Sequence, residues 1–329
     1  MDTQLRGRAG NRSHGTLISF AAVAIAMAAG CSGNPPTSAH APSGLLVVSP
    51  PAVSATPALD TVRGLTLPIQ AYKPVAAQQN VITDAEEKLV AHCMSQFGFT
   101  WTYSPSNVSD YNEVDREYGV ADLATAQKYG YHLPPADGGG ASAGSHSGQA
   151  TGAPLSPSEV LVLSGSTTGA DSATSPGSYQ GRQIPRGGCS GQARRQVTVV
   201  DEIDPTSLVD SIGLGMWKKA QSDARVVAGF RAWSACMRQA GYDYPTPLAA
   251  VGDRRWARPA VSQAEIQTAV ADVRCKQRTK LIGIWFSVES GYEKEAIQQN
   301  IQQLTQIRNR WAAAARKAAQ ILGVSAPHS

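Results

Sequence analysis

Histidine and charge are both scarce in this chain, and each shortage removes a class of function. Of six histidines, His14 and His40 fall in N-terminal segments that read as a targeting signal and a spacer. His146 lies in a glycine- and serine-rich stretch and His328 at the very end. His92 and His132 remain, and no second cluster of cysteine and histidine has zinc-ligand spacing. His92 beside Cys93 reads as a surface histidine next to a bridged cysteine. No Gly-x-Ser-x-Gly elbow and no phosphate loop occurs. The acidic pairs Glu86-Glu87, Asp201-Glu202 and Glu293/Glu295 fall where helix starts or solvated faces are expected. A carboxylate site assembled from distant positions is the one catalytic arrangement that such a scan does not reach. No catalytic residue, metal or cofactor is therefore expected. Charged residues make up 16% and the formal net charge is +4, too shallow for a nucleic-acid partner.

What is present begins with a targeting pattern. Arg6, Arg8 and Arg12 precede an apolar run from Thr16 to Ala29, shorter than the ~20 residues that span a bilayer and suited to a signal segment. The run ends in Ala28-Ala29-Gly30-Cys31. Small residues before a cysteine resemble a bacterial lipobox, although Ala28 stands where a branched residue is commoner. That resemblance implies cleavage before Cys31 and acylation of its sulfur, with residues 1–30 as a lipoprotein signal peptide; an ordinary signal peptide cut nearby and a transmembrane anchor are the alternatives. The five cysteines agree, since lipid on Cys31 leaves four for disulfides in an oxidising compartment. Residues 31–80 are rich in Pro, Ser and Ala and read as a disordered tether reaching about 40 Å.

Residues 81–325 read as an all-α domain. The segment VAHCMSQFGFTW (90–101) returns as AWSACMRQAGYDYP (232–245). Each copy is a helix carrying Cys-Met, three further residues, a glycine that turns the chain left-handed, and an aromatic residue that packs back. A third such stop is Gly130-Tyr131. Thr83 with Glu86, and Ser262 with Glu265, have capping-box spacing. Helices are expected from Thr83 to Phe97, from Asp110 to Tyr118, from Ala121 to Tyr129, from Ser190 to Val200 and from Asp204-Pro205 to Ala240. A break is expected near Ser222. Residues 134–180 form a low-complexity loop in which only Ser158 to Leu163 could turn. From 262 to 322 apolar residues keep helical spacing, even across Ser290-Gly291. One long helix of about 60 residues and 90 Å, straight or bent, is expected rather than a hairpin.

The parsimonious disulfides stay within each half, Cys93–Cys189 and Cys236–Cys275, although four cysteines allow two other connectivities. If the two C-terminal helical runs are antiparallel, the second bridge sets Asp210 opposite Gln299–Gln302. Residues beyond about Thr305 must then cover the first half or project. Aromatic residues collect at the helix stops. Trp101, Tyr131, Tyr242 and Tyr244 either pack there or line a ligand groove. Arg308, Arg310, Arg316 and Lys317 make the last turns basic, matching the helix dipole or contacting an anionic lipid or wall polymer.

With Ala-Ala-Gly-Cys31, the two Cys-Met-xxx-Gly-aromatic stops, Tyr129-Gly130-Tyr131-His132, Gly187-Gly188-Cys189 and the run AVADVRCK (269–276), the chain resembles uncharacterised exported lipoproteins of high-GC Gram-positive bacteria. The resemblance covers most of residues 83–300 and implies a place in the cell envelope without naming an activity. The expected function is a non-enzymatic binding or accessory module, tethered to the outer face of the cytoplasmic membrane through Cys31 and meeting an envelope protein. A wall hydrolase with a scattered carboxylate site and a purely structural spacer are the alternatives. Oligomeric state is left open.

Overall fold

The computed structural model describes residues 50–52, 57, 59, 61–62, 64–106, 114–134, 154–166, 177–198 and 206–327. Over these the protein is all-α apart from one two-stranded hairpin, as its periodicity predicts. A 3-10 turn at Pro68–Tyr72 is followed by α1 (Ala76–Gln96), α2 (Val114–Glu117), α3 (Leu123–Tyr129) and α4 (Pro157–Ser164). The hairpin Ser178–Tyr179/Arg182–Gln183 then leads to α5 (Gly188–Thr198). The second half is α6 (Thr206–Ser222), α7 (Ala224–Gln239), α8 (Pro247–Val251), α9 (Gln263–Thr279), α10 (Leu281–Gln299) and α11 (Ile301–Leu322). Asp110–Glu113, most of 134–180 and the start at Asp204-Pro205 lie outside the described residues. Within that loop α4 occupies the predicted stretch, with Ser156 capping Glu159 N–H.

Both copies of the repeated motif fold identically at the backbone. Gly98 and Gly241 take φ of +81° and +89°. The Phe99 N–H donates to Met94 O at 3.1 Å, and the Tyr242 N–H to Met237 O at 2.9 Å. The methionine is fully buried in each copy. Both predicted bridges are present, Cys93–Cys189 and Cys236–Cys275, with Cα separations of 5.6 and 5.7 Å. The break near Ser222 is real: Asp223 caps α7 by accepting from the Arg225 N–H.

Three expectations are corrected. The long C-terminal helix is three helices, because Lys280 adopts φ +54° and Asn300 interrupts the next turn. Asn300 Nδ2 donates to Ala296 O at 2.8 Å, so its side chain satisfies a carbonyl that helix continuation would have taken. The anticipated weak point, Gly291, lies inside α10. A Cβ there would sit 2.5 Å from the Pro51 ring, so this glycine admits a close packing contact. Arg225 Nη1 donates to Pro51 O at 2.8 Å and fastens the same residue. Secondly, residues 31–80 are not spacer throughout. Val62, Leu67, Ile69 and Tyr72 are core residues, and α1 starts at Ala76 with the Val75 N–H held by Gln78 Oε1. Finally, Thr83 and Glu86 do not cap a helix start. Glu86 lies within α1, where burial lifts its carboxyl to about 7 while Arg194 of α5 opposes the rise.

Three apolar clusters result. The main one joins α6, α7, α9 and α10 around Trp233 and Trp285, with Ile69 and Tyr118 brought to it from earlier segments. A smaller one surrounds the first disulfide, with Val90, Met94, Phe97, Val162, Ile184 and Ala193. The third lies where α11 packs on α1 and α5 through Ala314, Ala315 and Ala318, against Ile82, Ala85 and Val197. Small residues there let the helix axes approach closely. α11 thus covers the first half, one of the two outcomes that the disulfide register allowed.

Candidate functional site

The chemistry-bearing side chains that the fold gathers are buried acids along α9 and α10, few of which sequence reasoning singled out. Ser262 caps α9 by accepting from the Glu265 N–H at 3.2 Å. The Glu265 carboxylate does not reach back to complete a capping box. It is 1% exposed, and its Oε1 accepts from the Tyr131 N–H at 2.9 Å and meets His132 Nδ1 at 2.7 Å. His132 Nε2 is 2.9 Å from Arg258 O. Both ring partners are acceptors, so the doubly protonated ring satisfies both, and these hydrogen bonds raise its pKa above the ordinary value. Gly130 is required at this turn. Its φ is +57°, and a Cβ would lie 2.7 Å from Glu265 Oε1.

Two turns along α9, Asp272 accepts from Trp233 Nε1 at 2.9 Å and from Lys276 Nζ at 3.0 Å. Lys276 Nζ also donates to Val120 O at 2.8 Å. Burial pushes the Asp272 carboxyl up and the Lys276 ammonium down, and their mutual contact opposes both movements. This i, i+4 pair contributes little net stability once desolvation is counted, but loss of either partner leaves the other alone in the core.

On α10, Glu289 and Glu293 are both fully buried. Glu289 Oε2 accepts from Tyr118 O–H at 2.9 Å, and Glu293 Oε2 accepts from the Ile69 N–H at 3.0 Å. The second oxygen of Glu293 finds no hydrogen-bond partner, whereas the Glu289 carboxyl also meets that of Glu117. Burial, reinforced by the neighbouring Glu117 and Glu293 carboxylates, holds Glu289 well above the ordinary carboxyl range. Burial also lifts Glu293 to about 8, against the lowering effect of the Ile69 N–H. The expectation that Glu293 lies on a solvated face is thus corrected. The signal was in the sequence: Trp285, Glu289 and Glu293 are spaced by four, between the apolar positions Leu281, Ile282, Val288, Tyr292 and Ala296, which put both acids on the inward face.

The row Glu265–Asp272–Lys276–Glu289–Glu293 therefore acts as a set of buried hooks. Each holds a backbone or side-chain group of an earlier segment: residues 130–132, Trp233, Val120, Tyr118 and Ile69 in turn. Two neighbouring acids with raised pKa, as Glu289 and Glu293 are, are what a scattered hydrolase site would show. Here both are fully buried, with Tyr118, Ile69 and the half-buried Glu117 carboxyl among their neighbours.

Of the aromatic candidates, Tyr131 and Tyr244 come near one another, while Trp101 belongs to a different cluster. Trp101 is half-buried in the first-half cluster and donates through Nε1 to Glu87 at 2.9 Å. Tyr131 is buried with its ring 6.0 Å from Trp256. Tyr244 is buried and donates to Asp253 Oδ2 at 2.7 Å. Tyr242 lies half-buried against the main core. Two hollows occur elsewhere. One, of about 40 Å³ between α1 and α5, is lined by His92, Gln96, Gln192 and Gln196 beside Cys93. The other is shallow and formed by Ile301, Gln302, Thr305 and Gln306 of α11. Among the described residues no group of three His, Cys, Asp or Glu side chains could hold a metal ion. None of the described helices is long and apolar enough to cross a membrane. Cys31 lies outside the described residues. Compared with protein-family models, curated proteins and solved structures, the chain matches none.

Proposed function

We propose that the protein is an extracytoplasmic lipoprotein, anchored through lipid on Cys31, whose helical domain is a non-enzymatic binding or accessory module of the cell envelope. The observation that supports this most is the pairing of sulfur. Four cysteines close two disulfides, which suits an oxidising compartment. The remaining one, Cys31, follows Ala28-Ala29-Gly30 behind a basic and apolar leader. A non-enzymatic role is supported by the ionisable groups gathered inside the domain, which are spent on holding segments together. Intact mass measurement of the unreduced protein from membranes tests the anchor. A chain starting at acylated Cys31 is expected, and Cys31→Ser should move the protein to the soluble fraction. Unmodified Cys31 in the mature chain would remove the reading. Crosslinking in cells, followed by identification of the captured envelope protein, tests the binding role.

A further inference from the structure

The outward face of α11 carries cations and amides and no carboxylate. Gln302, Gln306, Arg310, Ala313 and Lys317 recur every three or four residues and are exposed or half-exposed, with Arg316 alongside. From residue 296 to the end there are four cations, Arg308, Arg310, Arg316 and Lys317, and no acidic residue. Matching of the helix dipole does not explain them. That effect acts within the final turn, and the last turn of α11 holds no basic residue.

The surroundings are mostly of the same sign: α6 and α10, which also touch α11, bring Asp210, paired with Lys73 at 3.1 Å, and the half-buried Glu295. Neither the Pro68–Tyr72 turn nor α5, both packed on α11, contains a carboxylate. The acids of α1 are engaged elsewhere: Asp84 by the Ser106 N–H, Glu87 by Trp101, and Glu86 by Arg194. Lys88 adds a cation at the helix end, where its Nζ donates to Ile321 O at 2.9 Å. Arg308 lies over the Tyr72 ring, whereas Arg310, Arg316 and Lys317 have no partner among the described residues. The 22 residues of α11 present this face over about 33 Å.

We propose that this face of α11 docks on anionic phospholipid headgroups, with Arg310, Arg316 and Lys317 taking the phosphates. Guanidinium groups bind phosphate oxygens in pairs, and a headgroup plane presents many phosphates to a convex helix that offers no deep groove. The choice of lipid over a soluble polyanion rests on the anchoring proposed above, which keeps the domain beside a membrane. The docking test itself needs no anchor.

The chain from residue 32 onward retains every described residue and carries no lipid. It is expected to co-sediment with vesicles of phosphatidylcholine and phosphatidylglycerol, not with phosphatidylcholine alone, and to be released by salt. Arg310→Gln/Arg316→Gln/Lys317→Gln should weaken binding about 100-fold, at the usual gain per cation near an anionic surface. Arg231→Gln/Arg254→Gln/Arg258→Gln removes the same charge from exposed residues elsewhere and should change binding less than about 3-fold. Circular dichroism of both variants should match the parent. The proposal is overturned if anionic vesicles are not bound, if both triple variants lose binding equally, or if soluble polyphosphate is bound while vesicles are not. Absence of lipid on Cys31 in the cell would remove the anchor and leave a positive vesicle result standing.

Discussion

The two Cys-Met-xxx-Gly-aromatic helix ends share one backbone hydrogen-bond pattern and sit in unlike surroundings. Around Cys236 the main core supplies Trp233, Met237 and Val273 on every side, and Asp272 binds the Trp233 indole. Around Cys93 the cluster has only eight buried members, two of them the bridged cysteines. The same local motif is therefore set in a core that could hold it unaided and in one that leans on its crosslink. Sequence separation sharpens the contrast, at 96 residues for the first bridge and 39 for the second. A crosslink over the longer loop removes more freedom from the unfolded chain.

The largest expected effect tests this directly. Replacing Cys93 and Cys189 by alanine should cost about 5 kcal/mol on loop-closure grounds, against about 4 for Cys236 and Cys275. More telling than the totals, hydrogen exchange should show local opening of α4 and α5 in the first variant. It should show only global unfolding in the second. Equal, global behaviour of both would break the comparison.

A glycine substitution probes the first half next. A Cβ on Gly188 would lie 2.3 Å from Leu163 O at a φ of +65°, so Gly188→Ala should cost roughly 3 kcal/mol or more by chemical denaturation. Gly98 and Gly241 have open space around the same atom. Alanine at either should cost only the left-handed backbone preference, about 1 kcal/mol, and equally in the two copies.

The second half should instead reveal itself through pH. A carboxyl raised by burial costs nothing where it is protonated in both states. Its penalty grows as pH climbs from the ordinary value, where the unfolded chain ionises, to the folded value of about 8 for Glu293. Stability should therefore fall from about pH 4.5 to pH 8. Glu293→Gln, which keeps an acceptor for the Ile69 N–H, should flatten that slope and gain on the order of 2 kcal/mol at pH 8. Thermal melts at three pH values are sufficient to measure it. A smaller term of the same sign comes from His132. Its folded pKa is raised, so its contribution is complete below the ordinary histidine value and disappears as pH rises through the folded one. Following the His132 ring by NMR should give a midpoint above 6.5, and Glu265→Gln should return it toward that value.

The legible parts of this molecule were those that local chemistry writes into a few adjacent residues. Glycine after an apolar helix face fixed three stops, Ser262 fixed one start, and the order of the cysteines suggested both bridges. The breaks at Lys280 and Asn300 were hidden because the apolar spacing runs through them. A single left-handed lysine leaves no periodic trace, and Gly291 drew attention to a place where close packing, not bending, is the use. The ordered stretch from Leu67 to Gln79 was hidden by proline-rich neighbours and by the Thr83–Glu86 spacing. Of the candidate site, the bridges were readable and the buried acids were not. Charge at positions 289 and 293 argues for solvent unless the whole helix is weighed by face, and their partners Tyr118 and Ile69 lie 171 and 224 residues away.

The grip of Arg225 and Gly291 on Pro51 has a consequence for scale. With a lipidated Cys31, twenty residues separate the greasy end from the fastened proline. A fully drawn-out polypeptide gains at most about 3.5 Å at each step, so that attachment point can stand no farther than roughly 70 Å from the bilayer. On the anchoring proposed above, a partner of the domain would be sought within that distance of the membrane plus the domain's own length.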